Sequence, residues 1–189
     1  VRAIAGRGTF VRIDMEDSST ADETLRLYRE LREAGHDNVG VVLQAMLRRT
    51  IEDIGASGLA APQVFVAKRV VVYRIIAARI PEGSGLEPRP WTVMVNPVIT
   101  PKSAVTTPVW ERCLSVPGLH GKVPRFMHVT ISYQDLQGKT VRHDARSSWA
   151  ALLQHECDHL DGKVYLDRMR SMQTLTFLPE FERALSGSR

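Results

Sequence analysis

His155 and His159 stand four residues apart in Leu153-Gln154-His155-Glu156-Cys157-Asp158-His159-Leu160, and Glu156 directly follows the first imidazole. On a helix this spacing puts both rings on one face, where they can hold one metal ion, and sets a carboxylate beside water at that ion. The chemistry in outline is metal-assisted hydrolysis. The same string also arises by chance on solvated helix faces, so the reading needs a third ligand. Catalytic sites of this kind offer three protein ligands and keep a fourth position open. After His159 the chain has no further histidine or cysteine, only the carboxylates Asp161, Asp167, Glu180 and Glu182. Upstream, Cys113 sits in Trp110-Glu111-Arg112-Cys113-Leu114-Ser115-Val116-Pro117-Gly118, among turn formers and short apolar runs. Taken alone it reads as a small buried hydrophobe. A Cys-His-His set with a glutamate base would instead polarise a carbonyl and bring the pKa of bound water toward neutrality.

A second segment, Ser57-Gly58-Leu59-Ala60-Ala61-Pro62-Gln63-Val64, precedes the branched run Arg69-Val70-Val71-Val72-Tyr73. Its small residues allow close backbone approach, either to a ligand or to a packed helix, and Gln63 offers amide donors. The plain structural reading is a tight loop against the core.

In order, GLAAPQ, ERCLSVPG and QHECDHLDG resemble the three motifs of peptide deformylase. The resemblance runs from about Ile51 to Phe181, taking in Val123-Pro124-Arg125 and the stretch Val164 to Met169. Ser148-Trp149-Ala150 before the helix, with HECDHLDG after it, is most similar to the type 1 branch found in bacteria and organelles. The resemblance implies that Cys113, His155 and His159 hold a divalent ion, iron(II) in the cell, with zinc, nickel or cobalt able to occupy the same place. It implies that Glu156 takes a proton from water at the ion and passes it to the leaving amine. Gln63 and the Leu114 backbone amide would stabilise the oxyanion on the formyl group. Gly58 would lie beside the substrate, and Glu111 would pair with Arg125 to brace the cysteine loop. The implied reaction removes the formyl group from N-formylmethionyl nascent peptides, releasing formate.

Three positions depart from the family pattern. Ala56 replaces a usual glycine and Ser57 a usual apolar residue, which bears on the methionine pocket. Arg112 replaces the usual glycine between the glutamate and the ligand cysteine, and would put a cation at the substrate rim. These departures motivate an alternative reading, a metal-binding but catalytically impaired relative.

Residues 7–50 are unlike the expected family start. Val11-Arg12-Ile13-Asp14-Met15-Glu16-Asp17-Ser18 and Asp37-Asn38-Val39-Gly40-Val41-Val42-Leu43-Gln44-Ala45 resemble an internal piece of bacterial proline dehydrogenase. There such a piece gives two strands and a helix of a flavin-binding β/α barrel, with Asp14 and Gln44 at substrate and flavin positions. A complete barrel needs on the order of 200 residues or more. The rest of the chain reads as something else, so no flavin is expected, and a fused or spliced amino terminus is favoured over a flavoprotein fragment. The domain reading is therefore 1–50 as an arm or first helix and 51–189 as the catalytic domain.

The elements that must carry these residues are α+β. The expected architecture is that of peptide deformylase, mostly antiparallel sheets around a central HExxH helix. Thr20 and Glu23 form a capping-box pattern, and Leu25, Tyr28 and Leu31 recur at helical spacing up to Gly35. Met46, Leu47, Ile51 and Ile54 share a helical face, which predicts a helix over 41–54. Val39 to Leu43 fits a buried strand or the start of that helix. Strands are predicted over 69–76, 91–96, 128–134 and 140–143, with a loop over 81–90 and a hairpin turn at Leu136-Gln137-Gly138-Lys139. The metal helix is predicted over 147–161, with Gly162 ending it, and it must pack on a sheet to cover Trp149, Leu152, Leu153 and Cys157.

With 189 residues and 43% hydrophobic content the chain suits one compact domain plus an arm. Its two cysteines, Cys113 and Cys157, suggest a reducing compartment rather than a disulfide, with Cys157 as packed core. The net charge of +4 fits a solvated surface; Arg48-Arg49, Arg168 to Arg170 and Arg183 could alternatively meet ribosomal RNA. Nothing points to specific DNA binding. Val70 to Ile80 is short and broken by Arg74 and Arg79, so no membrane span is expected. No secretory signal is visible, the first residue is valine, which hints at a missing start, and the expected location is the cytoplasm.

Overall fold

The computed structural model describes residues 11–13, 26–27, 30–31, 33–36, 39–41, 43–80, 82 and 86–186. The chain divides into two compact units, Val1–Ala56 and Ser57–Arg189.

In the first unit, strand β1 (Val11–Ile13) pairs in parallel with β2 (Val39–Val41), Val11 opposite Val39 and Ile13 opposite Val41. A parallel pair needs a crossover, and helical residues at 26–27, 30–31 and 33 lie within it. Gly35, at φ 85°, ends that turn while the His36 amide reaches back to the Leu31 carbonyl at 3.0 Å. Thr20, Glu23, Leu25, Tyr28 and Asp14, named in the sequence reading, lie outside the described residues. Helix α1 (Leu43–Ile54) follows, with Leu47 and Ile51 fully buried one turn apart. It begins two residues later than the periodicity predicts. Val39-Gly40-Val41 is strand, its backbone paired in parallel with β1.

The second unit has two antiparallel sheets. The larger contains β3 (Gly58–Ala60), β4 (Val70–Ile75), β5 (Arg89–Pro101), β8 (His128–Gln134) and β9 (Thr140–Arg146), in the order β3-β4-β5-β8-β9. The smaller is β10 (Thr176–Phe177), β7 (Val116–Phe126) and β6 (Thr106–Cys113), in that order. Helix α2 (Ser147–Leu160) touches β3, β5 and β9 of the first and β7 of the second, so it is packed on both sheets. Val71, Tyr73, Met94, Ile131, Trp149 and Leu153 build the core between α2 and the larger sheet, with Leu152 and Cys157 packed at its margin. Gly162, at φ 70°, stops α2 as predicted. Helix α3 (Leu178–Ser186) ends the described chain.

Two departures from the predicted strands share a cause. β5 runs 13 residues, well past Asn96, because a bulge between Val95 and Val98 absorbs Pro97. β6 and β7 are not predicted as strands at all, since Pro108, Pro117, Gly118, Gly121 and Pro124 read as breakers. In the fold Pro108 sits opposite Pro124, and β6 is an edge strand, where a missing backbone donor costs little. β9 likewise continues to Arg146 rather than ending at His143. Among the described residues no helix is long and apolar enough to cross a membrane.

Candidate active site

α2 and the β6–β7 hairpin meet at Cys113, His155 and His159. Their ligand atoms all lie within 4.8 Å of one another, with Cys113 Sγ 3.3 Å from His159 Nε2. Cys113 closes β6, and the two-residue loop Leu114-Ser115 returns the chain into β7. The Ser115 amide donates to the sulfur at 3.4 Å, which favours the thiolate. Burial pushes the Cys113 thiol up, but hydrogen bonds with His155 and His159 and the Ser115 amide outweigh it and bring it to about 5. Burial by itself would lower His155, yet Cys113 and Glu111 hold it protonated up to about 10 when no ion is bound.

Glu111 Oε2 lies 2.8 Å from His155 Nδ1. A carboxylate only accepts, so Nδ1 carries a proton and Nε2 is the nitrogen left to face an ion once its own proton is displaced. Glu111 is itself gripped by Arg125, whose Nε donates to Oε1 at 2.6 Å and Nη2 to Oε2 at 3.0 Å. Burial raises the Glu111 pKa, and the Arg125 and His155 contacts more than reverse this. Arg125 also donates to Asp158 at 2.6 Å, and Arg168 holds the other oxygen of Asp158 at 2.6 Å.

Glu156 is buried beside the cluster, and its Oε2 has no hydrogen-bond partner. Burial, opposed by the charges of His155 and His159, raises its pKa to about 7. A carboxyl poised there can take and return a proton near neutral pH. Gly58 lies directly against it: a Cβ at this position would stand 2.6 Å from Glu156 Oε1. Gln63 is oriented by the Ala60 amide, which donates to its Oε1 at 2.9 Å. That turns Nε2 toward the cysteine loop, 3.3 Å from Ser115 Oγ and 3.9 Å from Cys113 Sγ. A soft thiolate, two imidazoles with one tautomer fixed from behind, and a buried free carboxylate oxygen together fit a divalent ion.

Leu114, Ser57 and Arg112 lie on the exposed side of the site. Leu114 is half exposed in the loop between Cys113 and Ser115. Ser57 is exposed, and its carbonyl accepts from the Arg74 amide at 2.9 Å. Arg112 is exposed between the buried Glu111 and Cys113, and its charge bears on His120. His120 packs edge-on against Phe181 of α3. Asp158, Arg168, Gln154 and Ser115 belong to the site's frame although neither spacing nor residue type singles them out. The Gln154 side chain clamps β7 to α2, accepting from the Phe126 amide at 3.1 Å and donating to the Phe126 carbonyl at 2.7 Å.

The polypeptide deformylase family model matches residues 20–175. A peptide deformylase 2 of Pseudomonas putida is 42% identical over 122 residues, 64% of this chain and 67% of that protein. A peptide deformylase 1 of Prochlorococcus marinus is 35% identical over 167 residues, 85% of this chain and 83% of that protein. A crystal structure of the class I type b peptide deformylase of Acinetobacter baumannii, bound to Met-Ala-Ser, superposes with a TM-score of 0.61 at 34% identity, over 67% of this chain and 79% of that one. With sequence, fold and cluster pointing the same way, the chain belongs to the polypeptide deformylase family, hydrolases that remove the N-formyl group from nascent peptides.

Proposed function

We propose that this chain deformylates N-formylmethionyl peptides with Cys113, His155 and His159 holding the ion, Glu156 moving the proton, and Gln63 with the Leu114 amide receiving the oxyanion. The observation that carries this is the Glu156 carboxylate, buried against Gly58 with one oxygen free, beside three convergent ligand atoms. The ion would supply Lewis acidity that polarises the formyl carbonyl and acidifies water.

Glu156, near neutrality in its pKa, accepts the proton of the attacking water and returns it to the amine as formate departs. Gln63, its Oε1 held by the Ala60 amide, donates from Nε2 to the developing oxyanion in place of one of its contacts to Ser115 and Cys113. Gly58, lacking a Cβ, leaves room for the Glu156 carboxylate to sit against the strand. Glu111 keeps His155 in the ligating tautomer.

Iron(II) is our proposed ion in the cell, with nickel, cobalt or zinc as substitutes, since the donor set itself does not select among them. The substrate chemistry places the reaction where formylated chains emerge, in the cytoplasm. Contact with the ribosome rests on the net charge of +4, because Arg168 is engaged by Asp158 and Arg183 lies 3.7 Å from Glu180. We read 51–189 as the catalytic domain and 1–50 as an attached segment of proline dehydrogenase type, a reading supported by the parallel β1–β2 pair with helical residues between. The impaired-relative reading draws on Ala56, Ser57 and Arg112, and the outward exposure of Ser57 and Arg112 weighs against it.

Formate release from formyl-Met-Ala-Ser by nickel-loaded protein tests the assignment. Gln63→Ala is expected to lower kcat by about 10²–10³, the usual loss for one oxyanion donor. A variant with wild-type kcat would remove Gln63 from this role.

A further inference from the structure

Arg168 lies outside all three motifs, in the turn Tyr165–Arg168 that follows the metal helix. The turn is built to be rigid. Tyr165 is buried, Asp167 accepts from the Val164 amide at 2.8 Å, and Gly121 leaves the space that Met169 fills, a Cβ there meeting Met169 Sδ at 2.6 Å. From this turn the Arg168 guanidinium reaches Asp158 with three contacts: Nη2 to Oδ1 at 2.6 Å, Nε to Oδ1 at 3.1 Å and Nε to Oδ2 at 3.2 Å. Its side chain is 40% exposed while that of Asp158 is 8%.

The charges then alternate inward without a break. Asp158 Oδ2 takes Arg125 Nη1 at 2.6 Å; Arg125 forks onto both oxygens of Glu111; Glu111 Oε2 accepts from His155 Nδ1 at 2.8 Å. Glu111 Oε2 is shared between Arg125 and His155, so a rotation of Glu111 must move the imidazole or break its bond. Arg125 in turn has no slack, being buried between two carboxylates. The outermost link is the one that water can replace, and Arg168 occupies it.

We propose that Arg168 is a positioning residue for the metal cluster: by fixing Asp158 it fixes Arg125 and Glu111, and through them the orientation of His155. This rests on the reading that His155 ligates the ion. Groups directly behind metal ligands typically change affinity 10- to 100-fold when removed, and at three links' distance the expected loss is roughly 3- to 10-fold.

The test is the rate at which cobalt(II) passes from the loaded protein to a chelator, in wild type, Arg168→Ala, Arg168→Gln and Arg168→Lys, with Cys113→Ala as control. Thermal midpoints of the metal-free proteins are recorded alongside. Cobalt should leave the Ala and Gln variants roughly 3- to 10-fold faster, with altered cobalt absorption bands and intermediate behaviour for Lys, which keeps the charge without the fork. Variants that release cobalt at the wild-type rate with unchanged spectra, whatever their thermal midpoints, would overturn the inference and leave Arg168 a surface ion pair. If wild type itself held no cobalt, or Cys113→Ala held it equally, the cluster reading and this inference would fall together.

Discussion

His155 and His159 come from a single turn of α2, whereas Cys113, Glu111 and Arg125 come from both strands of the β6–β7 hairpin. The helix sets its two imidazoles by a period of 3.6 residues, and no distant contact is needed to bring the rings to one face. The hairpin sets its contribution by register: Glu111 lies opposite Gly121, and Arg125 reaches it from a position paired with Thr107. A local rule tolerates damage elsewhere, while a register-dependent one fails as a unit. The two halves of the cluster should therefore respond differently to substitution.

The largest difference should appear at Arg125, which joins the halves through Glu111 on the hairpin and Asp158 on the helix. Arg125→Ala leaves two buried carboxylates without their shared cation and should cost about 3–5 kcal/mol of stability, read by urea unfolding. A cost below about 1 kcal/mol, in the range of an exposed pair, would mean that the halves are not coupled through it.

Gly58→Ala probes the helix side from across the site. The added carbon would meet Glu156 Oε1 at 2.6 Å, so the carboxylate must swing away or the strand must shift. Overpacking of this kind costs about 1–3 kcal/mol, and kcat should fall with it, since the base is the group displaced. A variant with normal kcat would show that Glu156 has room that the structure does not give it.

The most graded effect is a slope. Without an ion, His155 stays protonated up to about 10, held there by Cys113 and Glu111 against its burial, while Cys113 is already ionised above about 5. An ion must therefore displace one proton from His155, and apparent affinity should rise about tenfold per pH unit from about 7 to 9, flattening toward 10. Zinc competition against a chromophoric chelator measures this, and an affinity flat across that range would contradict the hairpin's hold on His155.

The same contrast governs what could be read without coordinates. His155, Glu156 and His159 are legible because a helix writes its faces into spacing, and the bounds of α2 follow from Ser147 and Gly162. Cys113, Gln63 and Gly58 are legible only through the family motifs, since nothing local says that a cysteine 42 positions upstream of a histidine will meet it. The hairpin strands themselves are hidden by their prolines and glycines, whose meaning depends on β6 being an edge and on Gly121 facing Met169. Asp158 and Arg168 look like ordinary surface charges in sequence, and burial alone turns them into a frame. Arg112 is exposed by strand alternation between the buried Glu111 and Cys113, and its charge bears on His120.

The most direct test measures metal content and formate release on the same anaerobic, iron- or nickel-loaded preparations of wild type and Glu156→Gln. We expect one ion per chain in both, with formate released from formyl-Met-Ala-Ser by wild type and kcat lowered by at least about 10²-fold in the variant. A folded wild type holding its ion and releasing no formate would contradict the account and leave a metal-binding relative without the activity.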